Sequence, residues 1–118
     1  MVSSRDMKVF ELQSEICQTL ANPKRLFILH LLKDGEMAVG DIIKAMGISK
    51  ANLSQHLTIL RQKGIVTSRR EGLAVYYKLA VPKITEACGI MRDVLLDSLR
   101  EKDGIARALQ HRTDGENG

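Results

Sequence analysis

A chain of 118 residues, 44% hydrophobic and 27% charged, has the size and balance of one folded domain; this excludes a mainly disordered or collagen-like polymer and leaves no room for a separate catalytic domain. Its longest central run of large apolar residues, Leu26-Phe27-Ile28-Leu29, ends at His30, far short of the roughly 20 residues that cross a bilayer, and Met1 to Asp6 lacks the pattern of a secretory signal, so a cytoplasmic protein without a membrane span is expected. The net charge is +4, yet residues 44–78 set seven basic side chains (Lys44, Lys50, Arg61, Lys63, Arg69, Arg70 and Lys78) against Glu71 alone, so this segment carries +6 and the remainder −2.

The first predicted helix starts at Ser3, with Asp6 three residues later, and carries Val9, Leu12, Ile16 and Leu20 on one stripe with Phe10, Cys17 and Ala21 on a second. So wide an apolar surface cannot be covered by one neighbouring helix, which points to a second chain. Asn22 caps the second helix and Pro23 takes its first position, where a missing N–H costs nothing; Leu26, Leu29 and Leu32 follow before Asp34-Gly35 ends it. Val39 to Met46 forms a short third helix with Ile42, Ile43 and Met46 inward, and Gly47 supplies the positive φ of a tight exit. Ser49 caps the fourth helix, which runs to Lys63, while Ile48 and Leu53 form a hydrophobic staple. Two helices joined through so short a turn read as a helix-turn-helix, whose second helix stands clear of the body to enter a groove.

On that fourth helix Leu53, Leu57 and Leu60 share one face, and a step of 100° per residue puts Ala51, Gln55, Thr58 and Gln62 opposite. Lys50, Asn52, Ser54, Gln55, His56 and Thr58 are hydrogen-bonding groups of modest size, suited to base edges and phosphates. Ile65 to Arg70 and Ala74 to Leu79 are β-rich runs around Glu71-Gly72-Leu73, a hairpin wing with one basic strand. Pro82 opens a last helix with an apolar stripe of Ile84, Ala87, Cys88, Met91, Leu95 and Leu99, too long for a peripheral helix of a small fold, so a partner helix is again expected. The expected organisation is a mainly α (α+β) winged helix-turn-helix with about five helices and a two-stranded wing over residues 1–103, followed by a partly ordered or frayed tail over 104–118.

The run Leu20 to Leu29, with Ser49 to Leu60 and Gly72 to Leu79 in this order, resembles the ArsR/SmtB family of small winged-helix repressors across roughly residues 7 to 100. The resemblance implies a homodimer joined by its first and last helices, two recognition helices in successive major grooves of operator DNA, and release of the DNA when an inducer binds. Carried over by position, Lys50, Ala51, Ser54 and Gln55 are the groove-facing residues, Ser49 and His56 contact phosphate, and Arg69 and Arg70 flank the wing tip. Ser and Gln bond base edges, Lys reaches guanine, and Ala51 offers only a thymine-methyl contact. His56 has a second reading, in which it ties the fourth helix to the body beside the leucine face. His30, among Phe27, Ile28, Leu29, Leu31 and Leu32, reads as a core or interface histidine.

Metal-sensing members carry a Glu-Leu-Cys-Val-Cys-Asp motif at the third helix, but here the segment reads Glu36-Met37-Ala38-Val39-Gly40-Asp41, with no thiolate for a soft metal. The family's other metal site needs histidines on the last helix, and residues 82–102 hold none; His30, His56 and His111 have no paired spacing. No metal and no cofactor are expected. Cys17 and Cys88 lie on the two helices the resemblance puts in the dimer interface and are the candidate inducer-sensing pair. Thiols whose Cα atoms come within about 6 Å can close a disulfide or polysulfide bridge, or share a trivalent arsenical. The plain alternative is that each is a small buried core residue. Two other classes of function compete: a winged-helix protein-interaction module that leaves DNA alone, and a small thiol oxidoreductase, against which stand cysteines 71 positions apart with no Cys-x-x-Cys.

Overall fold

A computed structural model describes residues 3–117, with side chains described to residue 110 except at position 106. The chain falls into two units, Met1–Thr85 and Glu86–Gly118. The first unit begins with α1 (Ser4–Leu20) and α2 (Pro23–Leu32), each held at its start by the cap its sequence announces. The Ser3 hydroxyl accepts from the Asp6 N–H at 3.2 Å and donates to the Asp6 carboxylate at 2.8 Å. Asn22 Oδ1 accepts from the N–H groups of Lys24 and Arg25, satisfying two donors that have no partner within the helix.

A two-residue strand β1 (Met37–Ala38) leads directly into α3 (Val39–Met46), and Gly47, at φ +67°, closes that helix in the left-handed conformation. Helix α4 (Lys50–Gln62) starts at Ser49, whose hydroxyl accepts from the Asn52 N–H at 3.1 Å. Strands β2 (Val66–Glu71) and β3 (Ala74–Leu79) form the hairpin, paired from Val66 with Leu79 to Glu71 with Ala74. Its two-residue loop begins with Gly72 at φ +63°, a conformation a side chain would strain. The sheet order is β1-β3-β2, all antiparallel, so the expected two-stranded wing gains a third short strand through Met37 opposite Tyr77 and Ala38 opposite Tyr76.

The core unites these elements. Ile28, Leu29 and Leu32 of α2 meet Ile42 of α3, Leu53, Leu57 and Leu60 of α4, and Ile65, Val66, Tyr77 and Leu79 at the sheet. Each such buried side chain contributes on the order of 1.5–3 kcal/mol. Ile43, Met46 and Ile48 pack at the edge of the cluster, as the inward stripe of α3 and the staple require. On α1, by contrast, Thr19 alone is buried, and Met7, Val9, Phe10, Leu12 and Ile16 all face solvent.

The second unit is one helix, α5, which runs Lys83–Asn117 with its first turn in the preceding unit. Ile90, Met91, Val94, Leu95, Leu99 and Ile105 are exposed along it. Its backbone stays helical beyond residue 104, where the sequence reading expects a tail to fray. Arg107 pairs with Asp103 one turn earlier at 3.0 Å, which offsets part of the roughly 1 kcal/mol that a helical glycine costs. The end of that expected tail, Gly118, lies outside the described residues. Among the described residues no helix is long and apolar enough to cross a membrane.

Candidate nucleic-acid interface

The leucine face of α4 decides what the rest of the helix presents. With Leu53, Leu57 and Leu60 at 2% exposure or less, Lys50, Ala51, Ser54 and Gln55 are exposed, Asn52 and Thr58 are half-buried at the flanks, and the capping Ser49 is exposed at the N-terminus. An outward surface of two cations, Lys50 and Arg61, one methyl group and small hydrogen-bonding groups therefore starts at the positive end of the helix dipole.

Two residues of α2 that sequence reasoning passed over border this surface. Lys24 Nζ donates to Asn52 Oδ1 at 3.4 Å, placing an ammonium beside the first turn of α4. Arg25 reaches both ways: its Nη1 donates to the Thr19 carbonyl at 3.1 Å and its Nε to His56 Nδ1 at 3.3 Å, so one guanidinium links the end of α1, α2 and the middle of α4. His56 is half-buried, and burial followed by the charges of Arg25 and Lys24 pushes its pKa below the ordinary histidine value. With Nδ1 accepting from Arg25, His56 joins α4 to α2, the kind of contact its second sequence reading expects. The capping pattern Asn22-Pro23 followed by two cations was the available signal for Lys24 and Arg25, since a cap fixes where the next two side chains leave the helix.

At the wing the two arginines part company. Arg70 is exposed, opposite Val75 near the hairpin tip, and has no ion pair among the described residues. Arg69 is gripped: its Nε meets Glu36 Oε2 at 3.0 Å and its Nη2 meets Glu36 Oε1, while Nη1 meets Glu71 Oε2 at 2.7 Å. Its guanidinium carbon sits 4.4 Å from the centre of the Tyr76 ring. The Arg69 hydrogen bond holds the Glu36 carboxyl below the usual carboxylate range, and the two carboxylates raise the Arg69 pKa.

Cys17 is exposed on α1 and Cys88 is half-buried on α5, each within its own unit. Among the described residues no three His, Cys, Asp or Glu side chains gather as a metal site would need. In the segment where metal-sensing members carry cysteines, Glu36 is instead engaged by the wing.

A sequence profile for the bacterial regulatory proteins of the arsR family matches residues 22–68, from the cap of α2 through the start of the wing. The HTH-type transcriptional regulator Rv0081 of Mycobacterium tuberculosis is 36% identical over 103 residues, covering 86% of this chain and 90% of that protein. The chain belongs to the ArsR family. In this ArsR-family regulator of transcription the fold agrees: the crystal structure of Rv0081 superposes with a TM-score of 0.72 at 38% identity, over 80% of this chain and 95% of that one. The homodimeric winged helix-turn-helix DNA-binding domain of Mb0332 from Mycobacterium bovis gives a TM-score of 0.72 at 33% identity, over 83% and 91%. The transcriptional repressor SdpR of Bacillus subtilis is 39% identical over 66 residues, 56% of this chain and 73% of that protein.

Proposed function

We propose that this regulator is a homodimeric repressor whose two copies of α4 read successive major grooves of operator DNA and which leaves that DNA when an inducer acts. The observation that carries the reading is the outward face of α4, polar, basic at Lys50 and Arg61 and bordered by Lys24, on a helix whose other face is locked into the core. Gln55 and Ser54 bond base edges, Lys50 reaches guanine or phosphate, and Ala51 meets a thymine methyl. Asn52 and Thr58 line the flanks of the groove, and the Ser49 turn, Lys24 and Arg70 hold the phosphates, where they contribute affinity rather than sequence choice. The exposed apolar faces of α1 and α5 are surfaces a second copy would cover, and two copies are what a pair of groove contacts one helical turn apart needs. The known homodimer of Mb0332 and the repressor SdpR support assembly and sign.

For the inducer, the thiols are the chemistry this chain offers. Oxidation of Cys17 and Cys88 to a disulfide would pass two electrons to a peroxide or persulfide oxidant and release two protons, and a bridge between α1 and α5 would alter the dimer that spaces the recognition helices.

Selection from a random-sequence DNA duplex pool tests the reading. It should enrich a sequence of two related half-sites, and a reporter carrying that sequence upstream should be silenced by the protein. No enrichment would favour a protein-interaction role, and rising reporter output would reverse the sign. For the thiols, peroxide should weaken binding of the native protein to the enriched duplex and leave Cys17→Ser and Cys88→Ser unaffected; equal responses of all three would remove the thiol switch.

A further inference from the structure

We propose that Arg69 is a positioning residue that braces the wing against the strand leading into α3, and that Arg70 alone supplies the wing's phosphate contact. This rests on the DNA-binding reading and divides labour within it.

Strand alternation separates the two side chains. Thr67, Arg69 and Glu71 share one face of the sheet with Ala74, Tyr76 and Lys78, while Val66, Ser68 and Arg70 share the other with Val75, Tyr77 and Leu79. The second face is the one whose Val66, Tyr77 and Leu79 are buried in the core with α4, so Arg70 is on the side of the sheet that carries the recognition helix. Arg69 is on the reverse side. Its guanidinium spans the hairpin to Glu36, the residue before β1, and β1 passes without interruption into α3. The wing is thereby fixed to the first helix of the helix-turn-helix by a planar two-point contact, with Glu71 and the Tyr76 ring completing the cradle.

Electrostatics agrees. One guanidinium between two carboxylates carries −1, and Lys78 near Glu36 brings the cluster to zero, so no net positive charge is left there for a phosphate. A DNA phosphate would have to displace a fork-shaped carboxylate contact to reach Arg69, and it would meet two anions there. Arg70 offers an unopposed charge. Arginine is required at position 69 for its shape: a lysine keeps the charge but cannot bond both oxygens of Glu36 while lying over Tyr76.

The test is affinity for a mixed-sequence DNA duplex measured across a salt series, with amide hydrogen exchange of the DNA-free protein beside it. Native affinity should fall linearly on logarithmic axes, and Arg70→Gln should make the slope shallower by about 1 for each protomer bound. Arg69→Gln should leave the slope at its native value. Arg69→Lys, which retains the charge, and Glu36→Gln should both bind several-fold more weakly and both speed amide exchange across residues 67–76, whereas Arg70→Gln should exchange as the native protein does. Glu36→Gln binding more tightly, Arg69→Lys binding natively, or Arg69→Gln losing slope as Arg70→Gln does would each overturn the assignment while DNA binding stands. A native affinity indifferent to salt would overturn the DNA-binding reading together with it.

Discussion

His56 sits in a hydrogen bond to a residue 31 positions away that its own sequence surroundings do not show. At 3.3 Å from Arg25 Nε, its Nδ1 must be unprotonated to accept, and its pKa is lowered, first by burial and then by Arg25 and Lys24. A folded-state pKa below the unfolded value near 6.5 contributes stability that is complete above that value and is lost as pH falls through the lower folded pKa. The thermal midpoint should therefore drop as pH falls from 7 toward 5, and His56→Asn, which keeps an acceptor without a titrating ring, should flatten the decline; an unchanged decline would mean that other groups cause it. Gln55, exposed on α4, is proposed for the readout. Gln55→Ala should cost roughly 1–3 kcal/mol on the selected duplex and little on a scrambled one, whereas Arg70→Ala should weaken both alike. Residues whose role depends on neighbours nearby in sequence were legible: Ser3, Asn22 and Ser49 are caps because each is succeeded, within three positions, by a helical N–H that needs an acceptor. Arg69 was not, since Glu36 stands 33 positions away and only the folded hairpin brings them together. Half of the answer was still available, because adjacent strand residues cannot face one groove, and the alternation rule separates Arg69 from Arg70 before any partner is known.

Among the elements, the helices of the first unit lie where periodicity and punctuation put them. The third helix spans Val39–Met46 as expected because Gly47 must take a left-handed conformation and ends it. Strand β1 escaped notice: two residues have no alternation to detect, and their pairing with Tyr76 and Tyr77 is set by the hairpin almost 40 positions on. Helix α5 continues past Gly104, where the sequence reading expects a partly ordered or frayed tail, and the Asp103–Arg107 pair supports that continuation. The glycines of α3 give a test with opposite signs. A Cβ at either Gly40 or Gly47 meets nothing within 4 Å, so conformation alone decides the outcome. Gly40→Ala should stabilise by about 0.5–1 kcal/mol through helix propensity, and Gly47→Ala should destabilise by about 1–2 kcal/mol because φ stays at +67°. Urea denaturation measures both; equal signs would show that the turn before α4 is not held by Gly47. The leucine face of α4 has a larger stake, and Leu57→Ala should cost about 2–5 kcal/mol by leaving a cavity under the helix that presents Gln55.

For the molecule as a whole, the core is complete within the first unit, yet Val9 and Phe10 remain 58% and 56% exposed on α1 and a row of apolar side chains remains exposed on α5. Those faces make sense when a second copy covers them, as in the proposed homodimer. Phe10→Glu should shift the protein toward monomer in sedimentation and weaken binding to the selected duplex, while the thermal midpoint of the monomeric unit stays near native because Phe10 is outside the core. A variant that stays dimeric would move the interface away from α1. The dimer and the outward face of α4 come together in one measurement, a hydroxyl-radical footprint on the selected duplex. Two protected segments separated by about one helical turn, roughly 10–10.5 base pairs, with protection lost in Gln55→Ala, are expected; one continuous segment, or a footprint that ignores Gln55, would contradict the account.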